Sequence, residues 1–143
     1  MTNFELDDQK GRDIFKSFCA AQPWCTINRE AKKKYSSWDV SYYSGDTKII
    51  GEIKVRYYNH DSFDTWIMET KKLEALQSIK TKDTLINYIN IFNDDKILIW
   101  DISNINQPSS IEEHQQNDYT QNTVNKSITY LSTSQSTIYN FKK

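Results

Sequence analysis

Apolar and polar residues alternate between residues 37 and 57, on both sides of a short turn. The turn, Ser44-Gly45-Asp46-Thr47, is typical of a two-residue hairpin loop, because glycine readily adopts the positive φ required at its first central position. The pattern predicts antiparallel strands at about residues 37–44 and 47–57. One face of this hairpin is apolar and is expected to face the core. Its residues are Trp38, Val40, Tyr42, Ile49, Ile53 and Val55.

The opposite face of the hairpin carries charged side chains. Counting outward from the turn places Asp39 directly opposite Glu52, with Lys54 on the same face two residues further along. Carboxylates that face each other across two strands repel, so a compensating cation is expected. Oxygen ligands of this kind suit Mg²⁺, and Lys54 is placed to hold or deprotonate a water molecule. Together these groups suit the hydrolysis of a phosphodiester bond.

Helices are predicted on both sides of the hairpin. Before it, apolar residues at the three-and-four spacing of an amphipathic helix precede Pro23, which ends that helix. After it, a second helix is predicted to begin near Trp66 and to pack on the sheet through Leu73 and Leu76.

The pattern of residues in the rest of the chain predicts more strands and one polar segment. Strands are expected at residues 85–92 and 96–102, joined by a turn, and an edge strand at 127–131. Residues 103–125 are rich in Asn, Gln, Ser and Thr and predict a polar surface connection, in which Ser110-Ile111-Glu112-Glu113 resembles the capping box of a short helix. The predicted fold class is therefore α/β: one domain, residues 1–143, with a mixed central sheet flanked by helices.

Asp39 and the tripeptide Glu52-Ile53-Lys54 resemble the PD-(D/E)xK nuclease superfamily, which includes restriction endonucleases and Holliday junction resolvases. Asp39 matches the first acidic position of the family, and the tripeptide matches its E-x-K. The resemblance extends to the order of elements from about residue 7 to residue 101, although Trp38 stands where the family often has proline. It implies a restriction-endonuclease-like core and a magnesium-dependent nuclease that acts on DNA, with Mn²⁺ as a substitute ion.

The resemblance also implies a role for each matching residue. Asp39 and Glu52 would bind the metal ion, and the backbone carbonyl of Ile53 would complete its coordination. Lys54 would align or activate the attacking water.

Residues on the two helices are second-tier candidates. In the family the first helix often brings an acid to the site, for which Asp13 is the best candidate in this chain and Glu5 the alternative. The second helix presents Glu69 and Lys72. Asp13 could instead be a solvent-facing charge near a helix start. Glu69 and Lys72 could instead pair with each other on the helix surface.

The net charge of the chain is −1, so contacts with nucleic acid must depend on local basic clusters. The densest run is Lys32-Lys33-Lys34, which is either an exposed loop or a contact to the phosphate backbone. Arg56, on the polar face of the hairpin, is a further candidate for nucleic-acid binding.

Cys19 and Cys25 lack the spacing of a zinc site, and reduced thiols in a cytoplasmic protein are expected. No apolar run is long enough to span a membrane, and residues 1–5 lack the basic start and apolar stretch of a signal peptide, so a soluble, intracellular protein is expected.

Two other readings remain. The charged face could be only the wetted side of an antiparallel sheet. The fold could also serve as a noncatalytic module that binds nucleic acid or protein. If the chain is a nuclease, a homodimer would bring together the two sites needed to cut both strands of a duplex.

Overall fold

The computed structural model describes residues 3–31, 38–105, 110–115 and 123–142. These residues form two helices and nine strands, with a short 3₁₀ turn at Thr133–Gln135. In chain order the elements are α1 (Asn3–Ala20), β1 (Cys25–Glu30), β2 (Val40–Ser44), β3 (Thr47–Val55), β4 (Thr65–Glu69), α2 (Thr70–Ser78), β5 (Thr84–Ile91), β6 (Lys96–Asp101), β7 (Ser110–Gln115), β8 (Thr123–Ser132) and β9 (Thr137–Asn140).

A six-stranded sheet with the order β1-β2-β3-β5-β6-β9 forms the centre of the fold. Strands β3 and β5 are parallel, and the other neighbours in this sheet are antiparallel. The chain crosses from β3 to β5 through β4 and α2, as a parallel pair requires a long connection. The predicted α/β fold with a mixed sheet is confirmed.

Apolar layers cover both faces of this sheet. On one face, Phe15 and Phe18 of α1 pack with Val40, Tyr42 and Ile53 of the hairpin strands. The other face packs against α2 and against a second sheet with the order β4-β8-β7. That second layer contributes Trp66, Met68, Leu73, Leu76 and Leu131. Burial of apolar surface on both sides supplies the main stabilisation of the domain.

The predicted hairpin is present with its predicted turn. Gly45 has a φ of 59°, and Ser44 pairs with Thr47 across the loop. Strand β2 begins at Val40, which pairs with Gly51, so Asp39 lies immediately before the strand. The Asp39 N–H donates to the Gly51 carbonyl oxygen at 2.9 Å, so Asp39 and Val40 both face Gly51, and the paired register does not continue to Asp39 and Glu52.

The helix predicted to begin near Trp66 begins instead at Thr70. Residues 65–69 form β4, with Trp66 and Met68 buried on one side of the strand. Trp66 and Leu73 are seven residues apart, so one helical stripe fits both of them in the sequence. Residues 65–69 form a strand because they pair with β8.

The capping box at Ser110 also predicted the wrong element. Residues 110–115 form β7, which pairs with β8 in antiparallel register. A local capping signal is a weak preference, and tertiary strand pairing overrides it. Residues 106–109 and 116–122 of the predicted polar connection lie outside the described residues.

Cys19 and Cys25 form a disulfide, contrary to the expected free thiols. The bond joins the end of α1 to the first residue of β1, with a Cα–Cα distance of 5.2 Å. Both sulfurs belong to the core beneath α1. In the described part of the chain, no helix is both long enough and apolar enough to cross a membrane.

Helix α1 approaches β3 closely at Gly11. A Cβ atom at this position would lie 2.9 Å from Cγ2 of Ile53 and 3.1 Å from Cγ2 of Val55. Contacts this short force a shift of the helix or the strand. The absent side chain of Gly11 therefore sets the distance between α1 and the strand that carries Glu52.

We predict that Gly11→Val lowers the free energy of unfolding by about 1–3 kcal/mol, because the new side chain collides with β3. Ser17→Val is the matched control, since Ser17 is exposed on the same helix. Denaturant unfolding of both variants measures the difference. Equal stability of Gly11→Val and the wild type would contradict this packing.

Candidate functional site

The Asp39 carboxylate is buried and bonded on both oxygens. Its Oδ2 accepts a hydrogen bond of 2.7 Å from the backbone N–H of Ile53, and its Oδ1 accepts one of 3.0 Å from Nη2 of Arg12. The Asp39 backbone is also fixed, because its carbonyl oxygen accepts the N–H of Ala31 at 2.9 Å. The residue is only 6% exposed. Because it is buried, Asp39 is not merely a charge on a solvent-exposed face of the sheet.

Glu52 lies near Asp39, on the neighbouring strand, although the paired register ends at Val40 and Gly51. The two carboxyl groups interact electrostatically, and Lys72 Nζ lies 3.4 Å from Oε1 of Glu52. Burial raises the pKa of Glu52 well above its ordinary value, and the charge of Asp39 raises it further, while Lys72 acts in the opposite direction. Glu52 is therefore a carboxyl group whose charge is costly without a cation.

A third carboxyl group, that of Asp8 on α1, lies near Asp39 and interacts with it electrostatically. Its pKa is raised by burial and by the charge of Asp39, which outweigh the opposing effect of Arg12. The sequence prediction missed Asp8 and favoured Asp13. Asp13 is exposed, and it accepts a hydrogen bond of 2.8 Å from Nε2 of Gln9. Asp8 lies seven residues before the buried Phe15, so both residues lie on the same side of α1. The helical period of the sequence could therefore have indicated that Asp8 faces the sheet.

Arg12 connects the acidic groups and was not predicted. Its Nη2 lies 3.4 Å from Oδ2 of Asp8 as well as 3.0 Å from Asp39, and its Nη1 donates to the Ala31 carbonyl oxygen at 3.1 Å. Three carboxyl groups thus share two cations, Arg12 and Lys72.

Lys54 lies two residues after Glu52 on β3, and strand alternation places it on the same face. It pairs with Asn90 of the parallel strand β5 and is half-buried. The structure therefore brings Asp39, Glu52 and Lys72 together, and Lys54 lies on the face of β3 that carries Glu52.

Glu69, a second-tier candidate, has a different partner. Its Oε1 lies 2.6 Å from Nζ of Lys126 on β8, and its side chain is 48% exposed. This ion pair joins β4 to β8 at the surface.

Arg56 does not occupy the position predicted for a phosphate contact. Its Nε donates to Oδ1 of Asn90 at 2.8 Å, and its Nη2 donates to the Ile67 carbonyl oxygen at 2.6 Å and to the Tyr88 hydroxyl at 3.2 Å. The guanidinium also lies over the Trp66 ring. These contacts tie β4 to the central sheet, so Arg56 is a structural residue. Lys32, Lys33 and Lys34 lie outside the described residues.

The donor atoms of this cluster fit a hard divalent cation. Asp39 and Glu52 supply carboxylate oxygens, and one or two carboxylates are the usual protein ligands of Mg²⁺. The Ile53 N–H points towards Asp39, and the carbonyl of a strand residue points to the same side as its N–H. The Ile53 carbonyl therefore lies on the side of β3 that carries Asp39.

No protein-family model matches the chain, and no curated protein matches it. Among solved structures, the chain is similar to Hjc, a Holliday junction resolvase from the archaeal hyperthermophile Archaeoglobus fulgidus. The two proteins share 11% sequence identity, with 88% of this chain and 87% of that chain covered and a TM-score of 0.49.

Proposed function

We propose that this protein is a metal-dependent nuclease that hydrolyses phosphodiester bonds in DNA. The observation that carries the proposal is the buried contact between Asp39 and Glu52, with Lys54 on the same face of the sheet. Folding brings two carboxyl groups together at a cost, since burial and mutual repulsion raise the pKa of Glu52. Such a cost is typical of functional sites, where perturbed carboxyl groups perform chemistry or bind ions.

The proposed ion is Mg²⁺, with Mn²⁺ as a substitute, held by Asp39, Glu52 and the carbonyl of Ile53. When bound, the ion would polarise the phosphoryl group and compensate the charge that develops on it. The hydrogen bond from Ile53 fixes Asp39 in one orientation, so a carboxylate oxygen is already directed for binding. Its second bond, to Arg12, keeps that orientation when no substrate is present.

Lys54 and Lys72 supply the positive charge of the proposed reaction. Lys54 would hold or deprotonate the attacking water, which is the role implied by its position two residues after Glu52. Lys72 reaches Glu52 from α2 and would help to neutralise the phosphate. Asp8 would keep Asp39 and Arg12 in place from α1.

One observation favours a noncatalytic binding module instead. Arg12 already forms ion pairs with Asp39 and Asp8, and Lys72 forms one with Glu52, so all three acids have partners without a metal ion. In that case the cluster would stabilise the contact between α1, α2 and the sheet, and nucleic acid or protein would bind without cleavage.

Cleavage of plasmid, linear and branched DNA with Mg²⁺ or Mn²⁺ distinguishes the two functions. We expect Asp39→Asn, Glu52→Gln and Lys54→Ala each to reduce the cleavage rate by about 100-fold or more, since each removes a preorganised charged group. Lys54→Ala should retain metal binding, whereas the two acid variants should lose it.

Lys48→Ala and Asp46→Asn are the matched controls for these variants. Lys48 lies on β3, on the same face as Lys54, and Asp46 is an exposed acid in the hairpin turn. Both should cleave like the wild type. Equal residual activity in all variants would indicate a contaminating nuclease, and no activity in the wild type on any DNA or RNA substrate would favour the binding module.

The two acids of α1 provide a second test. Asp8→Asn should reduce cleavage by about 10-fold or more, because partners that orient ligands typically contribute this much. Asp13→Asn should leave the rate unchanged, since Asp13 faces solvent on the same helix. Cleavage rates measured at saturating Mg²⁺ test this difference. An equal loss of rate in both variants would show that Asp8 does not belong to the site.

A further inference from the structure

A second group of metal-ligating side chains lies outside the carboxylate cluster. His60 and Asp61 belong to the connection between β3 and β4, and Asp94 belongs to the turn between β5 and β6. One ligand atom from each of the three residues lies within 4.8 Å of the others. We propose that His60, Asp61 and Asp94 bind a divalent transition-metal ion of the Zn²⁺ type.

Backbone contacts hold these two segments together without an ion. The backbone N–H of His60 lies 3.2 Å from each carboxylate oxygen of Asp94, and the N–H of Asn93 donates to the Tyr58 carbonyl oxygen at 2.9 Å. The ligand atoms are therefore brought near one another by the fold and not only by side-chain rotation. A site assembled in this way loses less conformational entropy when an ion binds.

The side-chain contact at this site is one that a metal ion can replace. Nδ1 of His60 lies 2.6 Å from Oδ2 of Asp94. Each zinc ligand lies about 2.0–2.2 Å from the ion. The nitrogen of His60 and the oxygen of Asp94 must therefore move slightly apart for Zn²⁺ to replace the hydrogen atom between them.

The donor atoms select the class of ion. Imidazole nitrogen combined with carboxylate oxygen suits Zn²⁺, Co²⁺ or Ni²⁺, whereas Mg²⁺ prefers oxygen ligands alone. The group at Asp39 and Glu52 offers only oxygen, so the two sites should differ in their preferred metal. His60 and Asp94 are half-buried and Asp61 is exposed, which leaves an open side for water ligands.

An ion at this position would connect the segment that follows β3 to the turn that follows β5. These are the two parallel strands at the centre of the sheet, and β3 carries Glu52 and Lys54. The proposed ion is therefore structural, and its binding does not depend on the nuclease proposal.

Calorimetric titration with ZnCl₂ tests this inference. The protein to use is the full chain carrying Asp39→Asn and Glu52→Gln with its disulfide intact, so that neither the catalytic acids nor free thiols compete for the ion. We expect one equivalent of Zn²⁺ to bind, and no comparable heat with MgCl₂. Since this variant already lacks the proposed catalytic acids, the outcome is independent of cleavage.

Variants added to this protein locate the ion. His60→Ala and Asp61→Asn should each weaken Zn²⁺ binding by about 10-fold or more, and His114→Ala, which removes the other histidine of the chain, should not. Asp61 is exposed, so Asp61→Asn remains decisive if His60→Ala fails to fold. Absence of Zn²⁺ binding, or binding that is unchanged by Asp61→Asn or lost in His114→Ala, would overturn the proposal.

Discussion

The hydrogen bond between the Asp39 carboxylate and the backbone N–H of Ile53 is the contact around which the candidate site is arranged. It forms where the ladder between β2 and β3 ends, so a side chain takes over the role of the next backbone partner. The other oxygen of Asp39 binds Arg12, which connects the hairpin to α1. One buried carboxylate thereby fixes the relative positions of α1, β2 and β3.

Close packing makes this arrangement possible. Gly11 lets α1 lie directly against Ile53 and Val55, which brings Asp8 and Arg12 to the end of the hairpin. On the opposite face, α2 follows β4 without an intervening loop and brings Lys72 to Glu52. The acids thus come from both strands and from one helix, and the cations that balance them come from both helices. A bulkier residue at position 11 would separate groups that are far apart in the sequence.

Local patterns in the sequence predicted the hairpin and its register, because Gly45 and strict alternation determine both. The same alternation predicted that Glu52 and Lys54 share one face of β3, but it did not predict that the pairing of the two strands ends at Val40 and Gly51, before Asp39 and Glu52. Local patterns did not predict Asp8, because its role depends on the depth at which α1 packs, and sequence alone does not give that depth. The second sheet was missed for a related reason: Trp66 and Met68 form a strand only because β8 lies beside them. Arg56 looked like a surface cation in the alternating pattern, whereas its partners Asn90 and Tyr88 come from a strand more than 30 residues later.

The central claim is that the contact between Asp39 and Glu52 is a metal site and not only an internal ion-pair network. Anomalous scattering from crystals soaked in millimolar Mn²⁺, with and without a DNA oligonucleotide, tests it most directly. The account predicts an anomalous peak between the two carboxylates that is stronger with DNA, because the phosphate supplies oxygen ligands that the protein lacks. Absence of a peak at this position under both conditions, with Arg12 and Lys72 still paired to the acids, would contradict it.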